Sequence, residues 1–211
     1  MEKLIEFTLL SLTSLFTMIN PLGIIPVYIS LTNKLDNKEA KRTALKAVVT
    51  AFIMLTVFAL SGKFIFDFFQ ISVHSLKIVG GIIFFMTGFD MLQARFIRTK
   101  QSTEKTEEYV SDISITPLAI PMICGPGAIT VSIVLMNEAQ SFAEKGILIG
   151  VIFFLLLITF LFLISGRKIL QFIGPNGNKV LMRIMGLIVM VIAVEFFVSG
   201  LKPIIQELIS K

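Results

Sequence analysis

The sequence predicts an all-α membrane protein of six transmembrane helices, arranged as two inverted three-helix repeats whose first and fourth helices are broken at mid-span. Three observations carry that expectation: long charge-free apolar runs, motifs that recur at an offset near 105 residues, and prolines concentrated in two of the spans. Of the 211 residues, 55% are hydrophobic and 16% charged, and the mean hydropathy is +0.89. Soluble domains carry roughly a quarter charged residues, and disordered chains are poor in apolar ones, so the composition excludes both classes.

No Asp, Glu, Lys or Arg occurs in residues 7–33 (27 residues), 113–137 (25) or 146–166 (21). About 20 apolar residues suffice to cross the hydrocarbon core as a helix, so each run is a span. Three shorter spans complete the set. Residues 47–66 are interrupted only by Lys63, which can snorkel to the headgroups; 78–94 only by Asp90; and 184–201 only by Glu195. Residues 7–19 could alternatively be the core of a cleaved signal peptide. Glu2 and Glu6 make a poor positive leader, however, and the apolar run continues past Pro21 to Leu31.

Six spans leave both termini on one side, and the basic residues choose which. One face receives 13 Lys and Arg, from the segments around Lys34–Lys46, Arg95–Lys105 and Arg167–Arg183, against 6 on the other. The richer face is expected in the cytoplasm, with both termini outside a cell membrane. The net charge of +5 thus reads as a topology signal in short loops, and no nucleic-acid partner is expected. The longest loop mixes Lys, Arg, Glu, Ser and Thr and reads as a flexible link between halves. The expected division is 1–97 for the first repeat, 98–112 for a cytoplasmic linker and 113–211 for the second repeat.

The halves share motifs. Asn20-Pro21-Leu22-Gly23 matches Gly125-Pro126-Gly127-Ala128 at an offset of 105, Ser61-Gly62-Lys63 matches Ser165-Gly166-Arg167 at 104, and Lys77-Ile78-Val79-Gly80 matches Arg183-Ile184-Met185-Gly186 at 106. Coincidence in a low-variety apolar alphabet is the alternative. A repeat of three spans must re-enter the membrane from the opposite side, so the units would be inverted, a recurring plan in secondary transporters.

Five of the seven prolines (Pro21, Pro26, Pro117, Pro121 and Pro126) fall in the first and fourth spans. Proline removes a backbone donor and glycine tolerates unusual dihedrals, so unwound points are expected at Asn20–Gly23 and Cys124–Gly127. Free N–H groups beginning the half-helices near Gly23 and Ala128 suit a carboxylate, and freed carbonyls around Met18–Ile19 and Ile123–Cys124 suit an ammonium group. Asn20 and Thr130 add neutral polar groups, with Thr17 and Ser132 as further candidates. Neither span carries a charge, which favours a small zwitterion. A simple packing kink filled by neighbouring Ser or Thr is the structural alternative.

Asp90 and Glu195 lie late in their spans at an offset of 105. As ionisable groups within spans they are candidates for proton coupling, the alternative being hydration or pairing near the headgroups. His74 reads as interfacial. Cys124 is the lone cysteine, which rules out an intrachain disulfide and a cysteine metal cluster, and it reads as a packing residue.

With Asn20-Pro21-Leu22-Gly23 and Pro26, and with the stretch Pro117-Leu118-Ala119-Ile120-Pro121-Met122-Ile123-Cys124-Gly125-Pro126-Gly127-Ala128-Ile129-Thr130, the chain resembles the MarC family, which includes the SnatA-type small neutral amino acid transporters. The likeness extends over nearly the whole chain, through Gly80-Gly81 to Ala193-Val194-Glu195-Phe196. It implies six spans in two inverted repeats, distantly related to LysE-type exporters, and a site at the two breaks for glycine, alanine and similar amino acids, coupled to a proton gradient. Carried over by position, the site is Asn20, Pro21, Gly23, Gly125, Pro126, Gly127 and Thr130, with Leu22, Cys124 and Ala128 beside them.

The expected function is therefore alternating-access transport of a small neutral amino acid, without a cofactor or metal. The rivals are a channel or passive facilitator for small solutes and a non-transporting membrane protein of MarC type. No nucleophile–base or metal-ligand set lies in the spans, so an enzyme is not expected. The expected partners are the amino acid and the lipid bilayer, and the sequence leaves room for a homo-oligomer.

Overall fold

A computed structural model describes residues 2–93 and 106–209, and among these there is no strand. The helices are α1 (Glu2–Ile19), α2 (Pro21–Thr32), α3 (Asn37–Phe69), α4 (Val73–Leu92), α5 (Thr106–Ile113), α6 (Pro126–Glu138) and α7 (Phe142–Ile209), with a π-helical segment, Ser114–Ile123, between α5 and α6. α7 runs two arms together across Gly174, whose φ of 71° and ψ of 174° are not helical. Five stretches are long and apolar enough to cross a membrane: Glu2–Thr32, Asn37–Phe69, Val73–Leu92, Phe142–Gly166 and Asn176–Gln206. A sixth arises if Tyr109–Ile123 and Pro126–Glu138, bent by 58°, count as one. The protein is thus an all-helical, multi-pass integral membrane protein.

Local chemistry fixes the ends. Asp36 and Glu39 form a reciprocal capping box that starts α3, with Glu39 N–H donating to Asp36 at 2.7 Å and Asp36 N–H to Glu39 at 3.0 Å. Ser72 caps α4 by accepting from Ser75 N–H at 3.0 Å. At 33 residues α3 is about 50 Å long, more than the hydrocarbon core requires, which is why its charged first turns extend beyond the apolar run. Within the expected 98–112 linker, residues 106–112 are helical, held because Val110 is buried and the Tyr109 hydroxyl donates to Leu31 O at 3.1 Å. Residues 98–105 lie outside the described residues.

The core forms around α2. Every residue of that helix except Leu22 is buried, and Tyr28, fully buried, donates to Ala40 O of α3 at 2.9 Å. A helix that is apolar on all sides must be enclosed on all sides, here by α3, the π-helical segment and both arms of α7. Gly166 of the first arm lets that helix approach Ile25 and Ile29, and Asn178 of the second donates to Ser30 Oγ at 3.0 Å. The outer faces remain apolar, as at Ile53, Val57, Leu60 and Phe64 of α3, and match a lipid surrounding.

α4 packs antiparallel along the second arm of α7, and glycine sets the approach. A Cβ at Gly81 would stand 2.8 Å from Ala193 O, one at Gly88 2.8 Å from Gly186 O, and one at Gly200 2.7 Å from His74 O. The contacts step by seven residues on each helix, a regular small-residue seam of the kind that brings membrane helices close. Two further contacts join helices distant in the sequence: Gly62 of α3 against Ile133 of α6, and Gly166 against Ile25 and Ile29 of α2.

Candidate functional site

Two interruptions of helix meet in the interior. Between α1 and α2, Asn20 takes left-handed dihedrals (φ 47°, ψ 63°). Pro21 has no N–H, and Gly23 N–H donates to both Asn20 O (3.0 Å) and Asn20 Oδ1 (3.3 Å). The first break thus caps itself, with asparagine chosen because it tolerates this conformation better than most residues.

The second break is built differently. The residues before Pro117 and Pro121, Thr116 and Ile120, are extended (φ −126° for each), as a following proline favours, and both prolyl bonds are cis. Cys124 N–H donates to Ala119 O at 2.8 Å, Cys124 departs from helical dihedrals, and α6 restarts at Pro126. Gly125, at the N-cap, has no side chain with which to cap it.

The two breaks touch. A Cβ at Gly127 would lie 2.8 Å from Met18 Sδ, two residues before Asn20. α4 closes over the second break as well: a Cβ at Gly125 would lie 2.3 Å from Phe84 Cε1, and one at Gly80 2.4 Å from Pro126 Cβ. Beside this junction is a small cavity of about 30 Å³, room for a water or two. Its wall comes from Thr17, Met18, Asn20 and Gly23 at the first break, Phe84, Thr87 and Met91 of α4, Met122 before the second break, and Val189 and Ile192 of α7. No charged side chain lines it.

The expected site residues divide on this geometry. Asn20 and Gly23 line the cavity, and Pro21 is buried beside them. Leu22 is 51% exposed and faces outward, one position out of phase with its neighbours on the helix. Cys124, Gly125, Gly127 and Ala128 are buried and Pro126 half-buried, yet none opens onto the cavity, because Phe84, Met18 and Gly80 cover that break. Thr130 is 1% exposed and its hydroxyl has no hydrogen-bond partner. Most other span hydroxyls bond a carbonyl in their own helix, as Ser132 does with Ala128 O at 2.7 Å. Asp90 is half-buried next to Met91, while Glu195 is exposed among Val191, Val194 and Val198. The antiparallel register sets them about 16 Å apart along the helix axis, at ~1.5 Å per residue. Neither lines the cavity.

Sequence reasoning missed Phe84, Thr87, Met91, Val189 and Ile192. Their signal was present: Thr17 with Met122, Phe84 with Val189, and Thr87 with Ile192 are pairs at the offset of 105 that aligns Pro21 with Pro126. Among the described residues no group of three or more His, Cys, Asp or Glu could hold a metal ion.

Comparison with known proteins agrees with the motifs. The model of the MarC family of integral membrane proteins matches residues 5–205. A UPF0056 membrane protein of Methanocaldococcus jannaschii is 37% identical, covering 94% of this chain and 97% of the relative. One of Pyrococcus horikoshii is also 37% identical, over 96% of this chain and 98% of its own, and one of Buchnera aphidicola is 35% identical, over 93% and 92%. No solved structure matches the chain. With nearly its whole length matched, the chain belongs to the MarC family of integral membrane proteins.

Proposed function

We propose that this protein is a secondary transporter of small neutral amino acids such as glycine and alanine, working by alternating access. The observation that carries the reading is a cavity without charged lining at the meeting of two helix interruptions, walled by three residue pairs at one sequence offset. A lining with no charged side chain suits a solute whose two charges cancel.

An inverted repeat supplies the mechanical element. Under an offset of 105, Gly81 exchanges with Gly186 and Gly88 with Ala193, so the Gly81–Ala193 contact exchanges with Gly186–Gly88. At 104, Gly62–Ile133 exchanges with Gly166–Ile29. Contacts that map onto one another when the halves are swapped are what a two-fold axis in the membrane plane requires, and they favour 105 over 106 for the stretch around Gly80. The first and fourth crossings are then the broken helices, with both termini outside the cell membrane. Two halves rocking about this axis would expose the cavity to each side in turn.

Of the two span carboxylates, Asp90 beside Met91 is better placed to link proton binding to the cavity than Glu195 on the outer face. The test is a radiolabelled amino acid panel in proteoliposomes with an imposed pH gradient. Saturable accumulation of glycine and alanine, reduced by Asp90→Asn and unaffected by Glu195→Gln, is expected. Uptake that neither saturates nor shows counterflow would mark a passive facilitator, and no uptake of any amino acid would overturn transport of this class.

A further inference from the structure

Where α4 and the second arm of α7 meet, the small-residue seam leaves a groove on the lipid side. Gly81 and Ala193 form its floor, and Phe85, Met86, Val194 and Phe197 rise around it to enclose about 180 Å³. All of these residues are apolar, and Phe85, Met86 and Val194 are between 42% and 63% exposed. In hydrocarbon such a hollow is filled by an acyl chain or by another apolar helix, and either gains dispersion contacts there. The volume takes about six methylene-sized groups at ~30 Å³ each, the end of one fatty chain.

Depth and charge decide between these occupants. α4, with 20 residues and about 30 Å of length, matches the hydrocarbon core, and the groove lies at its middle. Gly186 of α7 lies against Gly88 O and Leu92 N, at the end of α4. Arg183, less than a turn further on, is therefore at the hydrocarbon boundary, and Lys179 is one turn beyond it. Both are exposed, and both share the groove's face of α7. Arg183 is 11 residues, about three turns, from Val194, and Lys179 is 18 residues, five turns, from Phe197. Helical side chains lean toward the N-terminus, which carries both basic heads away from the core. Followed the other way, the same line runs over Ile78, Leu201 and Ile205, with no charge among the described residues. Lys77 and Lys202 at that end stand more than ~100° round their helices from the groove. Asp90 has nearly the depth of Arg183, but it lies two residues after Gly88, on the flank of α4 turned away from α7.

From this geometry we propose that the groove, with Arg183 and Lys179, is a binding site for an anionic phospholipid. The two basic side chains take the phosphate-bearing headgroup, and the end of one acyl chain lies across Gly81 and Ala193. On the expected topology the lipid comes from the cytoplasmic leaflet. Its chain covers the α4–α7 seam and so supports a contact between helices distant in the sequence. The site lies on the opposite side of α4 from Gly80, which meets Pro126, and it does not depend on the transport reading.

The chain has no tryptophan, so Phe85→Trp in the full-length protein places a single fluorophore in the groove. In phosphatidylcholine vesicles, phosphatidylglycerol brominated on its acyl chains reports occupancy by quenching, with brominated phosphatidylcholine as the reference lipid. Phosphatidylglycerol is expected to be preferred by about fivefold or more, as one or two basic contacts supply. Lys179→Gln with Arg183→Gln should reduce the preference to about twofold or less. Lys77→Gln with Lys202→Gln should leave it unchanged. Val194→Phe, which fills the groove from its wall, should weaken quenching by both lipids. Should Phe85→Trp fail to insert, Met86→Trp serves as the reporter. Equal quenching by the two lipids overturns the site, as does a preference that survives Lys179→Gln with Arg183→Gln. A preference lost in Lys77→Gln with Lys202→Gln instead would put the headgroup at the other end and overturn the assignment. Quenching that is weak with every lipid and falls further as the protein-to-lipid ratio rises would show a second copy of the chain in the groove, which overturns a lipid as its occupant.

Discussion

The helix interruptions at Asn20 and at Gly125 lie 105 residues apart in the sequence but are built by different means. At the first, one asparagine turns the chain through a left-handed residue and satisfies the next helix itself, so that Glu2–Thr32 remains one crossing of 31 residues. At the second, two prolines, a π-helical stretch and an uncapped glycine turn the chain by 58°, and neighbours rather than caps fill the space. A self-satisfied break is a stable hinge. One whose donors are only covered is a place where a ligand gains free energy by arriving. The comparison sets a turn that caps itself beside one that its neighbours cover.

Substitutions can break that comparison or sharpen it. The largest effect is expected of Gly127→Leu, which drives a side chain into Met18 and blocks the second break. Uptake of labelled glycine should fall to background while the protein still inserts, and normal uptake would remove the second break from the site. Next come Gly88→Ala and Gly186→Ala, which press a methyl group on the partner's backbone across the α4–α7 seam. Each should cost about 1–3 kcal/mol, read by thermal unfolding in detergent, and the two costs should agree because the positions sit in one antiparallel contact. A large cost for one and none for the other would count against a symmetric seam. Asn20→Ala loses a cap and strains a left-handed residue, for about 1–2 kcal/mol, whereas Asn20→Gly should recover most of it. If alanine and glycine behave alike, the first break is not self-capped. The smallest effect is Tyr28→Phe, about 1 kcal/mol for the bond to Ala40 O, with transport unchanged.

The spans were legible because charge and hydropathy act over twenty residues at a time, and Asn20-Pro21 and Gly125-Pro126 announced where helix would stop. The cavity wall on α4 and α7 was not legible in the same way. Phe84 and Met91 face inward while Phe85 and Met86 face lipid, and in a span apolar on every side no polar stripe separates the two faces. The difference in capping could have been read, since asparagine can cap and glycine cannot. What the sequence did not carry was the covering of Gly125 by Phe84, a contact across 41 positions that depends on where α4 lies against α6. The helical start of 106–112 was hidden by its charges, with only Tyr109 and Val110 to anchor it.

Titration of purified protein with glycine, comparing wild type and Gly127→Leu by calorimetry, tests the central claim most directly. The account predicts one saturable event in the wild type, lost in the variant while its thermal unfolding remains cooperative. Equal binding by both proteins would contradict it.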